Sequence, residues 1–284
     1  MNSERWAIVL GASAGTGAAI ATAVARDPGL HVFGVHRGHY PDDARAVVEA
    51  VAASGRRAVM HVGDAGTVEA AYAIAGEFRK IAGPGSAGLL VHSLSGASLG
   101  RFLNTHGDQL TPRNVEKTFN YLAHSFMYWS QALHGLDLLA PSAHILGLTN
   151  VLHDSLLHNT GLVAAAKAAL DMYMKHLAIE LGRFGHRVNL LKFPTVVTPA
   201  LHALLGPEAI RRIDEVHRDL IPAGRICTVD DVGRFVSILA REETHWVNGA
   251  MIDFTGGMML RLLDVVLQPD SSHLRRPPAR AATA

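Results

Sequence analysis

Short, continuous apolar runs alternate with longer segments of helical periodicity over most of the chain. A run such as Trp6–Leu10 (WAIVL) is typical of a strand buried on both faces, because helices cover both sides of a parallel sheet. The predicted strands are Trp6–Leu10, His31–His36, Ala58–Val62, Leu89–His92, His144–Leu148, Val188–Phe193 and Ala250–Phe254. The predicted helices are Thr16–Arg26, Asp42–Ala53, Thr67–Ile81, Arg113–Leu133, Leu162–Arg183 and Val229–Ala240. This order predicts an α/β fold with a doubly wound, seven-stranded parallel sheet and helices on both faces.

No linker divides this pattern, so residues 1–263 are expected to form a single domain. Residues 194–221 form a long insert between a strand and the next helix, and Pro194 and Pro199 stand near its start. In an open α/β sheet such an insert typically acts as a lid over the substrate. The remaining residues, 264–284, lose periodicity and are predicted to be a flexible tail.

Composition and charge exclude several classes of protein. Of the 284 residues, 18% are charged and the formal net charge is +1, which gives no reason to expect nucleic acid or a membrane surface as a partner. Cys227 is the only cysteine, and neither a signal peptide nor a membrane-spanning run is evident, so we expect a cytoplasmic protein. The 17 histidines are scattered without metal-ligand spacing, and we therefore predict no metal site.

A glycine-rich turn joins the first predicted strand to the first predicted helix. In VLGASAGTGAAIA, the residues Gly11, Gly15 and Gly17 have the spacing G-x-x-x-G-x-G. Glycines let the backbone turn tightly and approach a pyrophosphate, whose charge is favourable at a helix amino terminus. In an alternating α/β chain this turn predicts a dinucleotide cofactor.

The glycine spacing resembles that of the short-chain dehydrogenase/reductase family, and the similarity extends to about residue 260. Asp64 in HVGDAG stands where the family has an aspartate that contacts adenine. The His92–Ser93 pair in LLVHSLSGAS resembles the enoyl-acyl-carrier-protein reductase branch. The segments RVNLLKFPTVVTP and WVNGAMIDFTGG resemble the sixth and last strands of the family. The resemblance implies a single Rossmann domain that holds a nicotinamide cofactor.

The resemblance also implies which residues hold that cofactor. The second predicted strand ends in His36 and Arg37, without the acidic residue that would bind the ribose of NAD, and Arg37 can pair with a 2′-phosphate. This favours NADP, although Ala14 fills a place where NADP-preferring members often carry a basic residue, and NAD stays an alternative. The expected contacts are Gly11, Ser13, Gly15, Thr16, Gly17, His36, Arg37, Asp64, Ser93, Lys167, Val196 and Thr198.

The catalytic set of the family is only partly matched. Lys167 fits the lysine that holds the nicotinamide ribose, but the tyrosine four residues earlier in classical members is Val163 here. The enoyl reductase position, seven residues before the lysine, is Thr160. The family's serine, 17 residues before the lysine, corresponds to Asn150, which follows Thr149. Valine cannot donate a proton, and a threonine hydroxyl is a far weaker acid than a phenol.

This gap favours one reaction over another. Carbonyl reduction needs a proton on the alkoxide oxygen, whereas reduction of a conjugated carbon–carbon double bond needs mainly hydrogen bonds to an enolate oxygen. We therefore predict an NAD(P)H-dependent oxidoreductase that reduces an enoyl thioester or an enone. The candidate catalytic residues are Lys167, Asn150, Thr160, Thr149 and His158, with His153 as a further substitute acid. Two alternatives stay open: a cofactor-binding protein without redox activity, and an enzyme that uses the pocket for cyclisation or dehydration.

Two helical segments, FMYWSQALHGL and LDMYMKHLAIEL, carry more Met, Tyr and Trp residues than one sheet face should need. In the family that the chain resembles, such helices form subunit interfaces. The resemblance therefore implies a homotetramer or a homodimer.

Overall fold

The structure, a computed structural model, describes residues 4–103, 107, 109–151 and 157–267. These residues form one seven-stranded sheet in the order β3-β2-β1-β4-β5-β6-β7, and every pair of neighbouring strands is parallel. The strands are β1 (Trp6–Leu10), β2 (His31–His36), β3 (Ala58–Val62), β4 (Ala87–His92), β5 (Leu139–Asn150), β6 (Arg187–Phe193) and β7 (Met251–Asp253). The predicted α/β fold is confirmed.

Helices cover both faces of the sheet. Their bounds are α1 (Gly15–Arg26), α2 (Pro41–Ala53), α3 (Val68–Ala82), α4 (Pro112–Phe119), α5 (Ser125–Gly135), α6 (Gly161–Gly182), α7 (Pro199–Leu204), α8 (Pro207–Leu220), α9 (Val229–Leu239) and α10 (Leu262–Leu267). Because side chains alternate along a strand, Ile8 packs with α3, α5 and α6 on one face, while Val9 packs with α1, α2 and α9 on the other. Burial on both faces explains why the inner strands β1, β2 and β4 are continuous apolar runs.

Most of the sequence-based boundaries differ from the structure by one or two residues, and the larger differences concern the fourth predicted helix and the fifth strand. The predicted helix Arg113–Leu133 is divided by a π-helical turn at Asn120–His124, which lies between α4 and α5. The fifth strand is longer than predicted because Leu139 already pairs with Ala87 of β4. The last strand is shorter than the predicted Ala250–Phe254, because only Met251–Asp253 pairs with β6 as a strand.

The insert after β6 and the segment after β7 contain helices of their own. The insert 194–221 contains α7 and α8, and its role as a lid stays a prediction. Residues 262–267 form α10, and the rest of the predicted tail lies outside the described residues. No helix among the described ranges is long and apolar enough to cross a membrane.

Candidate cofactor and active site

The glycine-rich turn is closely packed, and no side chain caps the start of α1. Gly11 has φ +85°, and a Cβ atom there would lie 2.4 Å from the backbone oxygen of Ser93. A Cβ atom at Gly17 would lie 2.0 Å from the backbone oxygen of Gly11. Helix α1 has no side-chain cap at Ala14 and no acidic residue in its first turn. The positive end of this helix is therefore suited to an anion such as a pyrophosphate.

The loop after β6 lies against this turn. A Cβ atom at Gly15 would lie 3.2 Å from the Cγ2 atom of Thr198. The Thr198 hydroxyl caps α7 by accepting a hydrogen bond of 3.2 Å from the backbone N–H of Leu201. Ser13 of the glycine turn and Val196 of the loop after β6 are both buried. The structure thus brings together predicted cofactor contacts from the ends of β1, β4 and β6.

A second group of predicted residues meets a tyrosine that the sequence analysis did not select. The carboxylate of Asp64 accepts a hydrogen bond of 2.9 Å from the backbone N–H of Gly66 and one of 2.6 Å from the Tyr121 hydroxyl. The Arg37 guanidinium lies over the Tyr121 ring, with its carbon 5.4 Å from the ring centroid. Burial, and then the Asp64 carboxylate, raise the pKa of Tyr121. Tyr121 belongs to the π-helical turn, which no residue pattern in the sequence revealed.

The ring of His36 makes its hydrogen bond within its own turn and not to Asp64, Tyr121 or Arg37. It is buried, and its Nδ1 atom accepts a hydrogen bond of 3.2 Å from the backbone N–H of Gly38. Burial, and secondarily the nearby His61, lower the pKa of His36. The neutral imidazole therefore stabilises the turn after β2.

Lys167 is buried in the second turn of α6. Its Nζ atom donates a hydrogen bond of 2.7 Å to the backbone oxygen of Leu148, and burial lowers the pKa of Lys167 to about 8. His92, at the end of β4, is also buried, and its Nε2 atom lies 2.7 Å from the Ser125 hydroxyl. Burial, and then the charge of Lys167, lower the pKa of His92 to about 3. The imidazole is therefore neutral beside a lysine that is still mostly protonated at neutral pH.

The remaining catalytic candidates, Thr149, Asn150 and Thr160, differ in their burial and in the hydrogen bonds of their side chains. Thr149 is only 2% exposed, and its hydroxyl has no hydrogen-bond partner among the described residues. Asn150 is the next residue and ends β5, where it is half-buried. The Thr160 hydroxyl donates a hydrogen bond of 2.6 Å to the backbone oxygen of Leu157, so it already supports the turn that leads into α6.

His158 lies apart from this buried group, on an open cleft. It is exposed, and its Nε2 atom accepts a hydrogen bond of 3.2 Å from the Arg101 guanidinium. Residues 100–103, His158, Asn159 and Gly161 line the cleft, whose volume is about 350 Å³. The side chains of Phe102 and Leu103 are apolar and exposed. The other substitute acid, His153, lies outside the described residues. Within the described ranges, no group of three or more His, Cys, Asp or Glu side chains is placed to hold a metal ion.

Three features together are those of the short-chain dehydrogenase/reductases: the sheet order, the uncapped start of α1 after a tight glycine turn, and the buried lysine after β5. The family model described as "Enoyl-(Acyl carrier protein) reductase" matches residues 11–259, and the chain belongs to this family of oxidoreductases. Proteins of this class generally use NAD(P)(H), bind small-molecule substrates and often form oligomers.

Individual relatives agree with this assignment. An uncharacterized oxidoreductase of Methylorubrum extorquens is 28% identical over 264 residues, which cover 89% of this chain and 96% of the relative. A hydroxynaphthalene reductase-like protein of Metarhizium guizhouense is 27% identical over 88% of this chain and 93% of its own length. The structure of a short-chain dehydrogenase/reductase mutant from Serratia marcescens shares the fold with a TM-score of 0.77 at 22% identity, covering 89% of this chain and 97% of that one.

Proposed function

We propose that the protein is an NADP(H)-dependent reductase of conjugated carbon–carbon double bonds, with an enoyl thioester or an enone as its substrate. The buried hydroxyl of Thr149, which has no partner among the described residues, supports this proposal most directly. It follows Leu148 in the chain, whose backbone oxygen binds Lys167. A buried hydroxyl and an ammonium group therefore lie at the end of the strand where, in this proposal, a substrate oxygen is stabilised.

The chain's own residues supply electrostatic stabilisation rather than a strong acid. The bound cofactor would supply the hydride for the β-carbon of the substrate, which leaves negative charge on the carbonyl oxygen until a proton from water adds to the α-carbon. The Thr149 hydroxyl can donate to that oxygen, and the ammonium group of Lys167 stabilises its charge while holding the cofactor ribose. Because the pKa of Lys167 is lowered to about 8, its proton is also more readily given up than that of an ordinary lysine.

Carbonyl reduction fits the same residues less well. The family resemblance places the proton-donating phenol at residue 163 or residue 160, and this chain has Val163 and Thr160 there. Val163 is buried against Leu122 and Ala166, and Thr160 donates its proton to Leu157. An enolate oxygen needs hydrogen bonds more than a complete proton transfer, so the proposed reaction is less affected.

The open cleft beside α6 suits an apolar substrate. Phe102 and Leu103 present apolar surface there, and Arg101 and His158 supply polar groups at its edge. An acyl thioester or an enone combines an apolar body with a polar carbonyl, which matches this lining.

The proposal is tested by the loss of NADPH absorbance with three substrate groups: short enones, enoyl thioesters and saturated ketones. We expect turnover with the first two groups and little with the third. Thr160→Tyr, which places a phenol at the enoyl reductase position, should raise enone reduction, whereas Val163→Tyr should not. Tight NADPH binding without turnover in the wild type or in either variant would favour the non-redox alternatives, regulation or a cyclisation or dehydration step.

We also propose that the protein forms a homotetramer or a homodimer in the cytoplasm. Met172 and Ile179 of α6 are 51% and 76% exposed, so this helix presents apolar surface that a second subunit could cover. Light scattering at micromolar concentration should give the mass of a dimer or a tetramer, and a monomer would contradict the proposal.

A further inference from the structure

We propose that Tyr121 is the platform on which the adenine ring of the cofactor stacks, with Arg37 as its cover and Asp64 as the acceptor at its edge. This inference rests on the proposed nucleotide site. It gives Tyr121 a binding role that neither the glycine turn nor the family resemblance assigns to it.

Two glycines lie against the Tyr121 ring. A Cβ atom at Gly66 would lie 2.9 Å from the Cε1 atom of Tyr121, and a Cβ atom at Gly96 would lie 2.6 Å from its Cγ atom. Gly66 lies in the loop after β3 and Gly96 in the loop after β4, so any side chain at either position would displace the ring. The phenol therefore lies against two loops at the carboxyl end of the sheet, where ligands of open α/β sheets bind.

The edge of the platform is fixed by a carboxylate. The Tyr121 hydroxyl donates to one oxygen of Asp64, and the backbone N–H of Gly66 donates to the other. These two bonds fix the orientation of both side chains and leave each carboxylate oxygen with further acceptor capacity. A purine amino group at the edge of the ring can therefore donate to Asp64 without displacing the tyrosine.

The side chain that would cover the adenine ring is that of Arg37. Arg37 is exposed, and its guanidinium already rests over the Tyr121 ring at 5.4 Å from the centroid. A guanidinium stacks on a purine as it does on a phenol, so Arg37 can lift and close over an inserted base. Aromatic rings and arginine planes are the surfaces on which nucleic-acid bases commonly stack.

The π-helical turn gives the tyrosine this position. Within Asn120–His124, Leu122 and Ala123 are buried in the core, whereas Tyr121 is half-buried and contacts the loops of the neighbouring strands. Such turns are rare and frequently occur at functional sites. The extra residue in this turn is therefore consistent with a binding role rather than with core packing alone.

Calorimetric titration with two ligands tests the proposal. NADPH contains the adenine ring, and reduced nicotinamide mononucleotide lacks the adenosine half. We expect Tyr121→Leu to weaken NADPH binding at least fivefold, because it removes the stacking surface at similar bulk. Binding of reduced nicotinamide mononucleotide should be unchanged, and Tyr121→Phe, which keeps the ring, should bind NADPH within about twofold of the wild type. Tyr72→Leu, an exposed tyrosine of α3, is the matched control and should change neither affinity.

Several outcomes would overturn the inference. Equal losses in Tyr121→Phe and Tyr121→Leu would mean that the hydroxyl merely positions Asp64. Tighter NADPH binding in Tyr121→Leu would mean that the ring blocks the site, and equal losses for both ligands would indicate general damage to the fold. A wild type that binds no NADPH would overturn it as well. A wild type that binds NADPH in the expected pattern but reduces no enone would contradict the proposed reaction and leave the role of Tyr121 supported.

Discussion

The adenosine end and the reaction end of the candidate site are built differently. At the adenosine end, Tyr121 contacts both Asp64 and Arg37 near the protein surface. At the reaction end, Thr149 and His92 are buried, and the Thr149 hydroxyl and the His92 Nδ1 atom have no hydrogen-bond partner among the described residues. Paired, exposed groups can exchange one partner for another at little cost, whereas an unpaired buried group costs about 1–3 kcal/mol.

This difference indicates two ways of using polar groups. The adenosine end can adapt to a ligand because its contacts are already satisfied and its arginine is exposed. The reaction end has donors fixed in a buried position before a substrate arrives, which is the arrangement that favours stabilisation of developing charge.

The glycine turn that connects both ends should tolerate change least. Gly17→Ala places a methyl group where the Gly11 backbone oxygen would be 2.0 Å away, so the turn must open. We expect binding of NADPH to be lost in calorimetric titration and the melting temperature to fall. Gly76→Ala is the control, because a Cβ atom there meets nothing within 4 Å inside α3. That variant should bind normally and gain roughly 0.5–1 kcal/mol of stability, and normal binding in both variants would contradict the role of the turn.

The reaction end should depend on one hydroxyl more than on its neighbour. Thr149→Val removes the buried donor, and we expect kcat for enone reduction to fall about 10²–10³-fold, the range for one donor to an oxyanion. Thr149→Ser keeps the hydroxyl and should retain most of the activity. Thr160→Val should lower stability through the lost bond to Leu157 but leave kcat nearly unchanged. Similar kcat losses in Thr149→Val and Thr160→Val would mean that the pairing seen in the structure does not distinguish their roles.

The two ends also differ in how far the sequence could predict them. The apolar runs predicted the bounds of β1, β2 and β3 as the structure has them. The local pattern is strongest in β1 and β2, because these two strands are buried on both faces. The contacts between Gly11 and Ser93 and between Gly15 and Thr198 follow from a parallel sheet, whose strand ends meet at one edge. Arg37 and Asp64 could therefore be placed at one end of the site before their contacts were known.

The rest depends on interactions that no local pattern records. The helical periodicity of Arg113–Leu133 continues through the π-helical turn, so the sequence did not reveal that Tyr121 reaches Asp64, 57 residues away. The unpaired state of the Thr149 hydroxyl and the paired state of the Thr160 hydroxyl depend on which backbone oxygens lie nearby in three dimensions. Sequence spacing placed both threonines in one candidate set and could not separate them.

The buried imidazole of His92 should make the reaction end sensitive to acid. Its pKa is lowered to about 3 in the folded protein by burial and by Lys167, whereas an unfolded histidine titrates near 6.5. The unfolded state therefore takes up the proton first, and stability falls as the pH drops below about 6.5. At pH 5 the loss due to His92 is about 2 kcal/mol. Urea unfolding at pH 7.5 and pH 5.0 should show a smaller pH difference in His92→Asn than in the wild type.

His36 provides the comparison at the adenosine end. Burial lowers its pKa as well, but His36 is the last residue of β2 and is followed directly by exposed residues. We expect His36→Asn to change the difference between the two pH values less than His92→Asn does. An imidazole signal of His92 that titrates above pH 5 in the NMR spectrum of the wild type would contradict the assignment, whatever the stability of the variants.

The smallest effect is expected at Arg37, a side chain that we propose to contact two parts of the cofactor. As the cover of the adenine ring, an exposed guanidinium contributes about 0.5–1 kcal/mol, so Arg37→Ala should weaken NADH binding about two- to fivefold. If Arg37 also pairs with the 2′-phosphate, NADPH should lose at least about tenfold, the low end for a hydrogen bond to a charged group because the site is exposed. The additional loss for NADPH should shrink as the salt concentration rises, since exposed charges are screened, whereas the stacking part should persist. Equal losses for the two cofactors would leave Arg37 as a cover only and remove the reason to prefer NADP over NAD. No loss for either would show that the guanidinium rests on Tyr121 without contacting the cofactor, and the adenosine end would then depend on Asp64 and Tyr121 alone.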